Sequence, residues 1–328
     1  MTVIIKREEI AHCIPKIDLT AAMEQAFIAY SAGESVVPPV AELLFDNPVG
    51  DTHIKYGYIK EQAFFVVKIA SGFYDNPALG LSSSQGLMLL FSQRTGEPVA
   101  VLLDEGSLTD LRTAAAGAVA AKYFAPSQIE AYGIIGTGIQ AREQLRQLVA
   151  LHTEHVSPCR NIWLWGRSNE KAQALASELR AEFGAAFHVQ IAQSPAQVAA
   201  NANLIVTTTP SEQALLSAKD IRPGTHITAV GADTEHKREL SSDILARADI
   251  VVSDSLPQCQ SRGEIFRAMA DGAIELSQVV ELGNTLENAS LRRQDDTQIT
   301  VVDLTGVAVQ DIAIASAVYN HLHTAKDI

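Results

Sequence analysis

The stretch AYGIIGTGIQAREQL, residues 131–145, decides the fold. Its apolar start leads into Gly136, Thr137 and Gly138, and an amphipathic segment follows. With Ala141, the two glycines match the pattern G-x-G-x-x-A, in which the first glycine permits a tight turn and the second lets the backbone approach a pyrophosphate. The pattern predicts a strand–turn–helix unit that binds a dinucleotide. A glycine turn that merely joins a strand to a helix is the simpler alternative.

The sequence after Pro126 supports the dinucleotide interpretation. Apolar strand candidates recur there, and most are separated by helical stretches; they cover residues 131–135, 161–165, 187–191, 203–208, 225–230, 249–253 and 298–303. Alternating strands and helices predict a Rossmann-type, doubly wound parallel sheet with helices on both faces. The helix after the glycine turn would then present its first N–H groups, including those of Ile139 and Gln140, to the cofactor phosphates.

The first part of the chain has a different pattern. Between about 40 and 103, short apolar runs are broken by Gly, Pro, Asn and Asp, which predicts a mainly antiparallel sheet. Helical patterns cover 20–32, 107–126 and 307–322. We therefore expect an α+β domain over 1–118 and a Rossmann domain over 119–306. The last helix, within 307–328, is expected to cross back to the first domain.

Composition excludes several classes of partner. The formal net charge of −13 argues against nucleic acid and anionic membrane surfaces, because both would repel the protein. The sequence shows neither a signal peptide nor an apolar run of 18 residues, so a cytoplasmic protein is expected. Cys13, Cys159 and Cys259 lack C-x-x-C spacing and are expected to be reduced thiols. His321 and His323 have no evident third ligand, so no metal site is expected.

The end of the second Rossmann strand indicates which dinucleotide binds. NAD enzymes usually carry Asp or Glu there for the ribose hydroxyls, whereas this strand ends in Gly166, Arg167 and Ser168. A guanidinium and a hydroxyl favour the 2′-phosphate of NADPH, with NADH possible and with a simple surface arginine as the alternative. Thr208 and Val230 follow the fourth and fifth strands, where such folds place loops beside the cofactor.

Three basic residues in the first half are candidates for binding an anionic substrate. Lys68 interrupts the apolar run FFVVKIA, where a charge is costly unless it is paired or reaches a pocket; the alternative is an edge-strand lysine that reaches water. Arg112 is expected in the first turn of its helix, where the helix dipole disfavours a cation. It would therefore share an anion with the helix terminus or pair with Asp104 or Glu105. Lys55 is flanked by polar residues, which is typical of a solvated face and makes it the weakest of the three candidates.

Asp233 is the candidate acid. It follows the fifth strand directly, at the carboxyl edge where α/β sheets bind their ligands. A helix N-cap or an Asx-turn is the alternative role for an aspartate at such a position. The residues alone leave these two interpretations open.

Taken together, these segments resemble the ornithine cyclodeaminase/μ-crystallin family. The resemblance runs from about 20 to 322 and is carried by VVKIASGFYDNPALGLSSSQG, TGEPVAVLLDEGSLTDLRTAAAGAVAAKYFAP, YGIIGTGIQAREQL, GADTEHKREL and DLTGVAVQDIAIA. It implies a homodimer in which the N-terminal part and the last helix form a substrate-binding and dimerisation domain around an inserted Rossmann domain.

The resemblance also implies roles for individual residues. The family's catalytic lysine falls on Lys68, its carboxylate-binding arginine on Arg112 and its catalytic aspartate on Asp233. The pyrophosphate loop falls on Gly136, Thr137, Gly138 and Ile139, and the segment beside the nicotinamide falls on Gly306 and Val307. Many members carry an arginine after the prolines near residue 40, where this chain has Val40; Lys55 is a candidate to supply that charge.

The resemblance implies chemistry at an imine beside a carboxylate. A cyclodeaminase retains NAD+ and resembles NAD binders, so the Arg167 strand end favours a reductase that consumes NADPH. The expected reaction is therefore the NAD(P)H-dependent reduction of a cyclic ketimine, such as Δ1-pyrroline-2-carboxylate or Δ1-piperideine-2-carboxylate, to L-proline or L-pipecolate. The alternatives are an ornithine cyclodeaminase, an open-chain amino-acid dehydrogenase of the alanine type, and a non-enzymatic NADPH-dependent binding protein like μ-crystallin.

Overall fold

The computed structural model describes residues 2–73, 75–152 and 158–324. The chain divides into two compact units, one formed by Met1–Arg112 with Val307–Ile328 and the other by Thr113–Gly306. The division falls inside a helix that continues from one unit into the other, earlier in the chain than the sequence-based boundary at 118/119. We describe each unit by itself.

The elements follow one another in two contrasting series. The strands are β1 (Val3–Lys6), β2 (Ser35–Val36), β3 (Ala41–Asp46), β4 (Val49–Ile59), β5 (Phe64–Phe73), β6 (Ser84–Ser92), β7 (Pro98–Leu103), β8 (Tyr132–Ile135), β9 (Asn161–Trp165), β10 (His188–Ile191), β11 (Leu204–Thr207), β12 (His226–Ala229), β13 (Ile250–Ser253), β14 (Val279–Glu281) and β15 (Thr300–Asp303). The α-helices are α1 (Arg7–Cys13), α2 (Leu19–Ser31), α3 (Ser107–Phe124), α4 (Ile139–His152), α5 (Asn169–Phe183), α6 (Pro195–Asn201), α7 (Ser242–Arg247), α8 (Gly263–Ala270), α9 (Leu282–Glu287) and α10 (Ala308–Thr324).

The first unit is built on a mainly antiparallel sheet. Its strands lie in the order β1-β7-β6-β5-β4-β2, with β3 paired to β4, and only the pairing of β1 with β7 is parallel. Helix α10 packs against α2 and against strands β4 and β5. This helix is apolar and buried along most of its length, as a helix that covers a sheet must be. The last helix therefore belongs to the first unit.

The second unit contains the predicted parallel sheet. Its strands lie in the order β10-β9-β8-β11-β12-β15-β13-β14, and every neighbouring pair is parallel. The central strands β8, β11, β12 and β15 are buried throughout, as expected for a sheet covered by helices on both faces. The α/β fold class predicted from the sequence is confirmed. Strand β14 was missed, because three residues are too few to show a periodic pattern.

Three further properties concern the described residues. None of the helices within 2–73, 75–152 and 158–324 is both long and apolar enough to cross a membrane. The same residues contain no group of three or more His, Cys, Asp or Glu side chains placed to hold a metal ion. Cys13, Cys159 and Cys259 are buried free thiols.

Candidate functional site: a buried cationic cluster and a glycine turn

The cationic cluster of the first unit begins with two lysines on neighbouring strands. Lys68 on β5 lies directly opposite Lys55 on β4, so the two side chains leave the same face of the antiparallel sheet. Both lysines are buried, with Lys68 only 2% exposed. Because β5 is paired on both sides, by β4 and β6, the edge-strand interpretation of Lys68 is wrong. Lys55 is not part of a solvated face either.

Asp311 joins Lys68 to Arg112. The Lys68 Nζ atom lies 3.3 Å from Asp311 Oδ2, and the Arg112 Nε atom lies 3.1 Å from Asp311 Oδ1. Arg112 also donates a hydrogen bond through Nη1 to the side-chain oxygen of Gln310. Asp311 is 1% exposed and lies in the first turn of α10, where the helix dipole favours a carboxylate.

These contacts replace the partners expected for Arg112. Arg112 lies in the second turn of α3, because the helix begins at Ser107. Its ion-pair partner is Asp311, while Glu105 pairs with Arg7. Asp104 accepts a hydrogen bond from the backbone N–H of Leu108, at 2.8 Å, and so satisfies one of the free donors at the start of α3. The expected pairing of Arg112 with Asp104 or Glu105 is therefore wrong.

The cluster is electrostatically unusual. Lys55, Lys68 and Arg112 are three buried cations, and two of them, Lys68 and Arg112, share the one carboxylate of Asp311. Burial lowers the pKa of Lys68 to about 8, although the Asp311 carboxylate opposes that shift. Burial likewise raises the pKa of Asp104. A ligand carboxylate beside Lys68 and Arg112 would add a second negative charge to this pair of cations, and buried charges are costly unless they are paired.

Asp311 is the site residue that the sequence reasoning missed. A signal was present, since a carboxylate interrupts the apolar helical run VAVQDIAIA. The pattern of a single helix does not show which strand it covers, and Asp311 is far from Lys68 and Arg112 along the chain. The packing of α10 on β5 brings Asp311 to Lys68.

The glycine turn of the second unit has the predicted geometry. The Gly136 N–H donates to the Trp165 carbonyl at 2.8 Å, which fixes the turn beside the end of β9. Gly136 has φ +132°, and a Cβ there would lie 2.2 Å from Thr208 Oγ1. A Cβ added at Gly138 would meet no atom within 4 Å, so the space in front of Gly138 is open. The close approach of backbone and ligand that the motif provides is therefore sterically possible here.

The end of β9 also adjoins this turn. A Cβ at Gly166 would lie 2.4 Å from Thr137 Cγ2, so the side chain of Thr137 packs closely against the backbone of Gly166. Arg167 is exposed. Ser168 is the N-cap of α5, and its hydroxyl accepts a hydrogen bond from the Lys171 N–H at 3.3 Å. Of these two residues, Arg167 has the freer side chain.

The loops after β11 and β12 carry the remaining predicted residues of the second unit. Thr208 donates to the Ile135 carbonyl at 3.3 Å, and the Val230 N–H donates to the Thr207 carbonyl at 3.0 Å. Asp233 forms an ion pair with Lys237 at 2.7 Å and is partly exposed. These contacts tie both loops to the carboxyl ends of the strands, where α/β sheets bind ligands.

The segment after β15 is held by a buried carboxylate. The N–H of Gly306, which has φ +81°, donates to Asp254 Oδ2 at 2.7 Å. Val307 follows it and is fully buried.

The predicted site residues form two groups. Lys55, Lys68 and Arg112 lie together in the first unit, and the glycine turn, Arg167, Thr208, Val230 and Asp233 belong to the second.

Together, these features define the architecture of the protein. A parallel sheet with a glycine turn after its first strand, combined with a separate α+β unit, is a Rossmann-type α/β architecture. The profile of the ornithine cyclodeaminase/mu-crystallin family matches residues 1–326. The chain therefore belongs to the ornithine cyclodeaminase/mu-crystallin family.

Individual relatives cover nearly the whole chain. A protein named uncharacterized cyclodeaminase y4tK, from Sinorhizobium fredii, is 39% identical over 319 residues, 96% of this chain and 94% of the relative. The alanine dehydrogenase of Archaeoglobus fulgidus is 35% identical over 321 residues, 98% of this chain and 95% of the relative. A Δ1-pyrroline-2-carboxylate reductase of Bacillus cereus is 32% identical over 300 residues, 88% of this chain and 87% of the relative.

Solved structures agree with this assignment. An archaeal alanine dehydrogenase dimer with bound NAD has a TM-score of 0.86 and 32% identity, covering 100% of this chain and 97% of that one. The iminosuccinate reductase of Paracoccus denitrificans in complex with NAD+ has a TM-score of 0.85 and 29% identity, covering 99% of this chain and 97% of that one.

Proposed function

We propose that this protein is an NAD(P)H-dependent reductase of imino acids, with a cyclic ketimine such as Δ1-pyrroline-2-carboxylate or Δ1-piperideine-2-carboxylate as substrate. The observation that carries the proposal is the buried ion-pair cluster in which two cations, Lys68 and Arg112, share the carboxylate of Asp311, with Lys55 opposite Lys68 on the neighbouring strand. A site of this kind suits a substrate that carries a carboxylate. A relative that is 32% identical carries the name Δ1-pyrroline-2-carboxylate reductase.

The cationic cluster binds the substrate carboxylate in this proposal. Arg112 offers a planar set of N–H donors, which matches a carboxylate in two-point contact, and Gln310 and Asp311 fix the plane of its guanidinium. Lys68, with Lys55 beside it, supplies the second positive charge. Holding the carboxylate at two points fixes the orientation of the imine carbon.

The cofactor-binding proposal rests on the open space before Gly138. Gly136, Thr137, Gly138, Ile139 and Gln140 would hold the pyrophosphate, with Thr208, Val230, Gly306 and Val307 beside the rest of the cofactor. The N-terminus of α4 at Ile139 supplies free N–H groups for the phosphates. A bound nicotinamide supplies the hydride that reduces the C=N bond.

In this reaction Asp233 is the residue that supplies or positions a proton, and Lys68 is the residue that stabilises charge. The Asp233 carboxyl, paired with Lys237, delivers or positions the proton that the imine nitrogen acquires. The Lys68 ammonium stabilises negative charge beside the reacting carbon. Protonation of the nitrogen makes the imine carbon a better acceptor of hydride.

A second candidate is an open-chain amino-acid dehydrogenase, favoured by the 35% identity to an alanine dehydrogenase. Initial rates measured with Δ1-pyrroline-2-carboxylate, with pyruvate plus ammonium, and with ornithine plus NAD+ separate the possibilities. The proposal expects the ring ketimine to give the highest kcat/KM. A higher value for pyruvate plus ammonium, or ammonia release from ornithine, would assign the protein to one of the other two reactions.

We further propose NADPH as the preferred cofactor, on the basis of the exposed Arg167. Arg167→Asp is expected to lower the ratio of kcat/KM for NADPH to that for NADH by at least about tenfold. The reason is that a carboxylate repels the 2′-phosphate and accepts hydrogen bonds from a free ribose hydroxyl. The matched control is Arg160→Asp, which changes the same exposed residue type just before β9. An unchanged ratio in Arg167→Asp would place the phosphate contact elsewhere.

We also propose that the protein is a cytoplasmic homodimer. Every residue of β3 is exposed, including Leu43, Leu44 and Phe45, and an apolar edge strand of this kind is usually covered by a partner. Light scattering coupled to size exclusion is expected to give twice the 35.2 kDa chain mass. Leu44→Glu is expected to shift the protein to monomer, whereas Ile4→Glu, an equally exposed position on β1, should not. A monomeric wild-type protein would contradict the proposal.

A further inference from the structure

Glu239 is a buried carboxylate that the proposed reaction leaves without a role. It is 0% exposed, and its side chain accepts three hydrogen bonds. Oε1 accepts from the Thr209 N–H at 2.5 Å and from the Thr209 hydroxyl at 2.7 Å. Oε2 accepts from the Gly231 N–H at 2.8 Å. One carboxylate therefore joins the loop after β11 to the loop after β12.

The bond to Gly231 also closes a loop. Glu239 lies eight residues after Gly231 in the chain. The bond between the Glu239 side chain and the Gly231 N–H therefore joins the two ends of segment 231–239, which carries Asp233 and Lys237. The segment is fixed at its far end as well, because the Arg238 N–H donates to the Ser211 carbonyl at 2.6 Å. The loop that carries Asp233 is thus held at both ends.

The two loops also pack against each other at Gly231. A Cβ at Gly231 would lie 2.2 Å from the Thr209 carbonyl oxygen and 2.5 Å from the Thr209 nitrogen. The backbones at 209 and 231 are therefore in direct contact. Thr208, which precedes this contact, packs against Gly136 of the glycine turn. Glu239 is linked through these contacts to both sides of the proposed cofactor site.

We propose that Glu239 is a positioning residue, which fixes Thr208 and the Asp233 loop relative to the glycine turn and so sets the affinity for the dinucleotide. The inference rests on the dinucleotide-binding part of the proposed function. It adds a residue that touches neither substrate nor cofactor and acts through Thr209 and Gly231.

Glu239→Gln tests this role with nearly the same shape. An amide oxygen accepts on one side only, so one of the two backbone N–H groups, that of Thr209 or that of Gly231, loses its acceptor. A buried donor without an acceptor is energetically unfavourable. We expect the two loops to move from their wild-type positions as a result. Fluorescence titration of the full chain is expected to show a Kd for NADPH and NADH raised by about tenfold.

Glu281→Gln is the matched control. Glu281 on β14 is also buried, and it accepts a hydrogen bond from the Leu256 backbone N–H at 2.9 Å. Both variants are expected to lower the melting temperature, but Glu281→Gln should leave the Kd within about threefold of the wild-type value. Where Glu239→Gln does not fold, Thr209→Val removes one of the three donors and is expected to raise the Kd several-fold.

The outcomes separate the two proposals. A wild-type protein that binds neither NADPH nor NADH overturns the cofactor proposal and this inference with it. A wild-type protein that binds, together with a Glu239→Gln variant of equal Kd, overturns this inference alone. Equal weakening by Glu239→Gln and Glu281→Gln would also overturn it, because the effect would then be that of general destabilisation.

Discussion

Lys68→Ala is expected to lower kcat for imine reduction by about a thousandfold or more, while the Kd for NADPH stays within about twofold. The variant removes the ammonium that stabilises charge beside the reacting carbon, and an electrostatic contact of this kind in a buried site is worth several powers of ten in rate. The fold should survive, because Asp311 keeps its pairing with Arg112, at 3.1 Å. Single-turnover kinetics and dinucleotide titration measure the two quantities separately.

Lys60→Ala is the control for this variant. Lys60 is exposed at the end of the same pair of strands and donates to the Gly33 carbonyl at 2.8 Å, so its loss should change kcat by less than about twofold. Loss of dinucleotide affinity in Lys68→Ala would contradict the assignment, because Lys68 would then support the cofactor rather than the substrate.

The pH profile of the wild-type protein gives a further readout of the same lysine. Burial lowers the pKa of Lys68 to about 8, so the ammonium is present below that pH and is lost above it. Because kcat/KM reports the free enzyme, it should fall about tenfold per pH unit above pH 8. Lys68→Ala should lack this decline. A profile that instead rises through pH 8 would indicate that neutral Lys68 acts as a base.

Asp311→Asn is expected to destabilise the first unit by about 3–5 kcal/mol, the cost of leaving buried charges without their counter-charge. The variant leaves two buried cations, Lys68 and Arg112, beside a neutral amide, whereas Lys68→Ala leaves a balanced pair. The melting temperature should fall by about 10 °C, on the scale of a few degrees per kcal/mol for units of this size. Thermal unfolding followed by circular dichroism measures it.

Glu130→Gln makes the same chemical change in an exposed ion pair. Glu130 pairs with Arg222 at 2.5 Å, with both side chains well exposed, and such pairs contribute about 0–1 kcal/mol. Its melting temperature should therefore stay within about 2 °C of the wild-type value. An equally small effect of Asp311→Asn would show that the cationic cluster does not depend on Asp311 for its stability.

The fold was largely predictable from the sequence, for physical reasons. The seven strand candidates after Pro126 are all present as β8 to β13 and β15, because buried parallel strands are continuous apolar runs bounded by polar turns. The helical pattern over 107–126 corresponds to α3, and the one over 307–322 to α10. Strand β1 was missed, since the run VIIK leads directly into helix α1 without a turn residue that marks its end.

The site was predictable only in part. Lys68 was recognisable because a charge inside an apolar strand requires a partner or a ligand. The partner itself, Asp311, was not, because nothing in one sequence specifies which helix covers which strand. Glu239 was hidden for a similar reason, since it binds Thr209 and Gly231 across two loops whose contact depends on neighbouring parallel strands.

The measurement that tests the central proposal most directly is the absorbance at 340 nm of the purified protein with Δ1-pyrroline-2-carboxylate, using NADPH and NADH in parallel. We expect a rapid loss of the signal that requires both protein and imine and is faster with NADPH, with L-proline as the product. No loss with either cofactor, from a protein that binds the dinucleotide, would contradict the assignment as an imine reductase.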